Sequence, residues 1–139
     1  MADMPTTRRT RVYIAGPISI GDQAVNVRNA ILVASELLER GYAPYCPHLT
    51  HYWQTVAPQK YETWIALDLE WLPLCDCFLR LPGESKGADR EVEFAMERGI
   101  PVYFANSMDA NSYTIGGFLA RYEAPERERT DDAPKNLPE

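Results

Sequence analysis

The stretch Cys77-Phe-Leu-Arg-Leu81-Pro-Gly-Glu-Ser85-Lys-Gly87-Ala-Asp-Arg-Glu91-Val-Glu-Phe-Ala95 decides how the chain reads. Residues 77–81 are apolar enough for a strand, and Val92, Ala95 and Met96 recur at helical spacing, so the unit is strand, turn, helix. A helix start carries unpaired N–H donors and the positive end of the dipole. Ser85 and the backbone around Gly87 can therefore face an anion. Glu91 sits about one turn further in, where the dipole favours its ionised form. A carboxylate beside an anion cradle is costly unless a ligand uses both.

Working outward, residues 11–15 form a first strand closed by Gly16-Pro17. Asp22 caps a helix that runs to about residue 40, with Val25, Ile31, Leu32, Leu37 and Leu38 as its apolar positions and Gly41 as its stop. A short strand over 43–46, a loop over 47–58 and a helix over 61–72 precede the opening stretch. A fourth strand over 100–105 and a short helix over 113–122 follow it. Strands alternating with helices in this order predict an α/β fold, a Rossmann-like (flavodoxin-like) parallel sheet with helices on both faces. Such sheets take ligands at the carboxyl ends of their strands.

The 139 residues, 45% of them hydrophobic, suit one domain with one substantial core. It is expected over 11–124, with 1–10 and the charged, Pro-containing 125–139 as flexible tails. A net charge of −6 and a pI near 4.9 disfavour nucleic acid as the main partner, since that contact needs a basic stripe. A small anion needs only a local patch. The three cysteines, Cys46, Cys75 and Cys77, have no disulfide-framework spacing and suit a reducing compartment. With no stretch resembling a signal peptide or a membrane span, a cytoplasmic protein without membrane contact is expected.

On the helix over 61–72, a 100° step places Tyr61, Trp64, Ile65, Trp71 and Leu72 around Asp68, while Glu62 and Glu70 point away. Burial among such neighbours raises a carboxyl pKa, which suits a general acid. The plainer alternative is an Asp68 that only bonds a buried backbone or tyrosine group. The loop around His48 and Trp53 is rich in flat side chains that can stack on a base or read its edge. Cys46, His48 and His51 match no zinc spacing, so no metal and no other cofactor is expected. Asp89, Arg90, Glu93, Glu97 and Arg98 read as a solvated helix face, and Asp76 as a strand start or cap.

Three segments, Val12-Tyr-Ile-Ala-Gly16-Pro, Asp68-Leu-Glu-Trp-Leu72 and Ser85-x-Gly87-x3-Glu91-x3-Ala95, resemble the signatures of the nucleoside 2-deoxyribosyltransferase superfamily. The resemblance is nearest to the nucleoside 5′-monophosphate N-glycosidases of the CMP and hydroxymethyl-CMP type. It implies that Glu91 is the nucleophile at C1′, that Asp68 protonates or hydrogen-bonds the departing base, and that Tyr13 orients Glu91. The two carboxylates would then lie on the order of 5 Å apart, as in retaining glycosidases. Deoxyribosyltransferases of free nucleosides tend to carry an acidic residue where this chain has Ser85, so the serine favours a phosphorylated substrate. Gly16, Pro17 and Ser19 would wall the same pocket, although Pro17 offers no N–H. The resemblance further implies a homodimer. A transferase that passes the sugar to a second base, and a nucleotide-sensing module without turnover, are the competing expectations.

Overall fold

The computed structural model describes residues 8–109 and 112–114. Four parallel strands, β1 (Arg11–Ala15), β2 (Ala43–Tyr45), β3 (Cys77–Arg80) and β4 (Val102–Phe104), lie in the order β2-β1-β3-β4. After β1 the chain crosses over α1 (Gln23–Glu39) to β2 on one side, and after β3 it crosses over α4 (Lys86–Glu97) to β4 on the other. The two crossovers part between β1 and β3, and a crevice opens where they separate.

Strand alternation divides the core in two. Val12, Ile14, Cys77 and Leu79 pack with Ala30, Val33 and Leu37 of α1, while Tyr13, Ala15 and Phe78 face Ala88 and Ala95 of α4 and Leu72 at the end of α3 (Tyr61–Trp71). Helices thus cover both faces of the sheet. Asp22 caps α1 through the Val25 N–H at 3.2 Å. The buried stripe of α1 is nevertheless Ala30, Val33 and Leu37; Ile31, Leu32 and Leu38, expected in the core, are exposed. Beside Leu37 the stripe is held by Asn29, Ala30 and Val33, so a count of large side chains alone places Ile31, Leu32 and Leu38 wrongly.

The expected loop over 47–58 is instead a 3-10 turn, Pro47–Leu49, running into the short helix α2 (Thr50–Val56). Its Leu49, Tyr52, Trp53 and Val56 recur at helical spacing and are all exposed. A two-stranded antiparallel ladder, β5 (Asn106–Asp109) with β6 (Ser112–Thr114), follows β4. It replaces the start of the helix expected over 113–122, whose remainder lies outside the described residues. At the opposite end of the sheet from the crevice, Arg8 grips the Asp76 carboxylate at 2.6 and 2.7 Å, and that carboxylate also accepts the Arg11 N–H at 2.8 Å. No helix among the described residues is long and apolar enough to cross a membrane.

Candidate functional site

Register builds the floor of the crevice. Tyr13 is paired with Tyr45 on β2 and with Phe78 on β3, so three aromatic rings form one row across the sheet. Their centroids are 5.5 and 5.3 Å apart, and the near-parallel rings hold Tyr13 in place. Tyr13 is fully buried, and its hydroxyl donates to Oε2 of Glu91. Burial and the two nearby carboxylates push the Tyr13 pKa well above the ordinary phenol value, so it keeps the proton it donates.

Glu91 belongs to the inward stripe of α4 together with Ala88 and Ala95. Counting from the cap at Ser85 it is the sixth residue in, beyond the first turn where the helix dipole acts most strongly. The expectation of a plainly ionised Glu91 is therefore corrected: burial pushes its pKa up to about 8, the Asp68 charge adds to the rise, and the Tyr13 hydrogen bond, Arg80 and Arg90 oppose it. Asp68 is buried on α3, and desolvation raises it to about 7. Its Oδ1 has no hydrogen-bond partner among the described residues. No backbone or tyrosine group satisfies that oxygen, so the plainer reading of Asp68 fails for it.

Both carboxylates line one cleft of about 680 Å³. Gly16, Ser19, His48, Ser85 and Gly87 line it as expected. Pro17 and Trp53 do not. The Pro17 carbonyl instead accepts from His48 Nε2 at 3.2 Å, and its ring lies where a Cβ on Gly83 would stand, 2.6 Å from Cγ. Trp53 is exposed and packs edge-on against Trp64, which supplies the cleft wall in its place.

Two loops close the mouth. Gly16 must be glycine because a Cβ there would meet Leu81 Cβ at 2.9 Å. Asn26 of α1 donates to the Ile18 and Ile20 carbonyls at 3.1 and 2.7 Å and so fixes the turn after β1. The buried Arg80 fastens the turn after β3 through the carbonyls of Leu81 and Gly83 and through Asp89. Gln54 Oε1 accepts from Trp64 Nε1 at 2.6 Å and from the Gln59 N–H at 2.9 Å, which ties α2 to α3 over the cleft. The helix start is capped by Ser85, whose Oγ accepts from the Ala88 N–H at 3.1 Å and retains its own O–H for a ligand.

The sequence reading overlooked Lys86, Arg90, Tyr61, Gln54 and Gln59, all of which line the cleft. Arg90, which spacing assigns to a solvated face, lies on the rim, one residue before Glu91. Spacing shows which residues face the sheet but not which exposed ones flank a cleft mouth. The cleft is thus an apolar slot with a coupled acid pair on its floor and cations at the start of α4. Among the described residues no group of three His, Cys, Asp or Glu side chains is gathered as a metal site. The Cys46 thiol is raised to about 11 by burial.

A family model described as a domain of unknown function, DUF7768, matches residues 10–105, and the chain belongs to that family. A search of curated proteins finds no match.

Proposed function

We propose that this member of the DUF7768 family is an N-glycosidase that cleaves the bond between base and sugar in a nucleoside 5′-monophosphate, with a CMP-type pyrimidine nucleotide favoured. The observation that carries the reading is the Tyr13–Glu91 hydrogen bond on the floor of a cleft that also holds Asp68 with an unpartnered oxygen. A carboxylate oriented from behind by a protonated phenol is held ready to attack. A second carboxyl whose pKa is near neutrality can carry the proton that a departing base needs.

In the first step Glu91 bonds to C1′, the C1′–N bond breaks with its electron pair going to the base, and Asp68 gives that nitrogen system a proton. In the second, the Asp68 carboxylate takes a proton from water, the water oxygen bonds to C1′, and Glu91 leaves as carboxylate. The products are free base and the sugar 5-phosphate. Ser85, Lys86, Arg90 and the first N–H groups of α4 favour a phosphate at the mouth.

The test is to incubate the protein with a panel of nucleotides, with and without a second free base, and to separate the products. Release of base and sugar phosphate is expected, and Glu91→Gln should abolish it while still binding nucleotide. Near-normal release by Glu91→Gln would overturn the nucleophile, and transfer to the added base in place of hydrolysis would make the protein a transferase.

A further inference from the structure

His48 is a cleft-lining group whose hydrogen-bonding capacity the reaction above leaves unused. It lies in the 3-10 turn after β2 with its ring almost wholly buried, 1% exposed. Nε2 is 3.2 Å from the Pro17 carbonyl, and a carbonyl can only accept, so Nε2 carries the hydrogen. The other nitrogen, Nδ1, is buried and has no hydrogen-bond partner among the described residues. Burial lowers the pKa of the ring to about 4, outweighing the pull of the Pro17 and Gly16 carbonyls, so the ring is neutral near pH 7. A neutral ring with hydrogen on Nε2 presents a bare lone pair at Nδ1. The Pro17 contact also fixes which way that lone pair points.

A buried acceptor with no donor is costly, and a ligand that supplies the donor recovers the cost. We propose that His48 is a specificity-determining acceptor: Nδ1 takes a hydrogen bond from a ligand N–H or O–H, so that the cleft selects a nucleotide presenting a donor there and rejects one presenting a carbonyl. The asymmetry follows from the fixed tautomer. A ligand oxygen opposite Nδ1 would set two acceptors against each other, and a missing donor would leave the nitrogen unpaired. The inference rests on the nucleotide reading above, and the donor belongs either to the base, as an exocyclic amine, or to the sugar, as a hydroxyl.

The test uses the full chain with Glu91→Gln, which prevents turnover, and measures calorimetric affinities for 5′-monophosphates that differ by one donor. Cytidine against uridine and adenosine against inosine exchange an amine for a carbonyl on the base. Cytidine against 2′-deoxycytidine, and adenosine against 3′-deoxyadenosine, remove a sugar hydroxyl. A preference of roughly ten- to a hundredfold for the donor is expected in the base pairs or in the sugar pairs. It should collapse towards unity in His48→Phe, whose ring keeps the flat shape and carries no acceptor. Independently of that variant, Nδ1 of His48 in ¹⁵N-histidine-labelled protein should resonate as an unprotonated nitrogen and move on adding the preferred nucleotide. Nucleotides that bind without discriminating in any pair, a preference that His48→Phe leaves unchanged, or an Nδ1 signal unmoved by ligand would each overturn the acceptor role alone. Failure of every nucleotide to bind would overturn the nucleotide reading and this inference with it.

Discussion

At the scale of single residues, the chemistry turns on where one proton sits. Asp68 and Glu91 are both raised by burial and each charge opposes the other, so the pair titrates together near neutrality. The proposed reaction requires Glu91 ionised while Asp68 is protonated, the less populated of the two singly protonated forms because Glu91 is raised to about 8 and Asp68 to about 7, so kcat/KM should follow a bell-shaped pH profile. The Tyr13 hydroxyl favours the reactive form because its hydrogen bond lowers the Glu91 pKa. Tyr13→Phe should therefore move the limb governed by Glu91 to higher pH and lower the plateau by roughly ten- to a hundredfold, the loss of one bond to a charged group. An unmoved profile with only a lower plateau would mean that the hydroxyl does not set the ionisation of Glu91. Asp68 was legible in the sequence because apolar spacing on its helix predicts its burial. The unpartnered Nδ1 of His48 was not, since it depends on a carbonyl 31 positions away in the chain.

At the scale of elements, the start of α4 has two duties that substitution can separate. Ser85 caps the helix through the Ala88 N–H and is the side chain we assign to the phosphate. Ser85→Ala removes both roles and costs about 1 kcal/mol of stability through the cap alone. Ser85→Asp keeps a good cap and sets a negative charge against the phosphate. It should fold like the wild type while the ratio of kcat/KM for monophosphate over nucleoside falls, by more than in Ser85→Ala. An unchanged ratio in Ser85→Asp would place the phosphate elsewhere. The turns can be separated in the same way. Gly83 and Gly21 both have positive φ, +114° and +84°, but a Cβ on Gly83 meets the Pro17 ring while one on Gly21 meets nothing within 4 Å. Both Ala variants bear the backbone strain, about 1–3 kcal/mol, and Gly83→Ala must in addition push the two loops apart. Its melting temperature and its nucleotide affinity should therefore both fall below those of Gly21→Ala. Equal values for the two would mean that the Gly83–Pro17 contact does not hold the mouth in shape. The strands and long helices were readable because period 2 and period 3.6 patterns are local. The turn and helix over Pro47–Val56 were missed although Leu49, Tyr52, Trp53 and Val56 keep helical spacing, because the segment is short and its start at Pro47 reads as a loop.

At the scale of the whole molecule, a cleft floored by two buried carboxyls lowers the stability of the fold as they ionise. In the folded chain Asp68 and Glu91 hold their protons up to about pH 7 and 8, whereas in the unfolded chain they release them near their ordinary values of 3.8 and 4.5. Their contribution is fully present below the unfolded values and is lost as pH rises through the folded ones, because unfolding there releases protons. His48 has the opposite sign: lowered from 6.5 to about 4, it makes the fold more stable as pH rises across that interval. The buried thiols and tyrosines are raised from 9.0 and 10.0, so they act only at more alkaline pH. Between about pH 6.5 and 8 the two carboxyls therefore dominate, and wild-type stability should fall by on the order of 1–2 kcal/mol, read as several degrees of melting temperature. Asp68→Asn and Glu91→Gln should each flatten the slope, since an amide cannot ionise, and the double variant should nearly abolish it. Thermal unfolding at half-unit pH intervals measures this without any substrate. A wild-type melting temperature that stays level across the window would mean that the carboxyls are not desolvated as the cleft places them, and the acid–nucleophile pair would lose its physical basis.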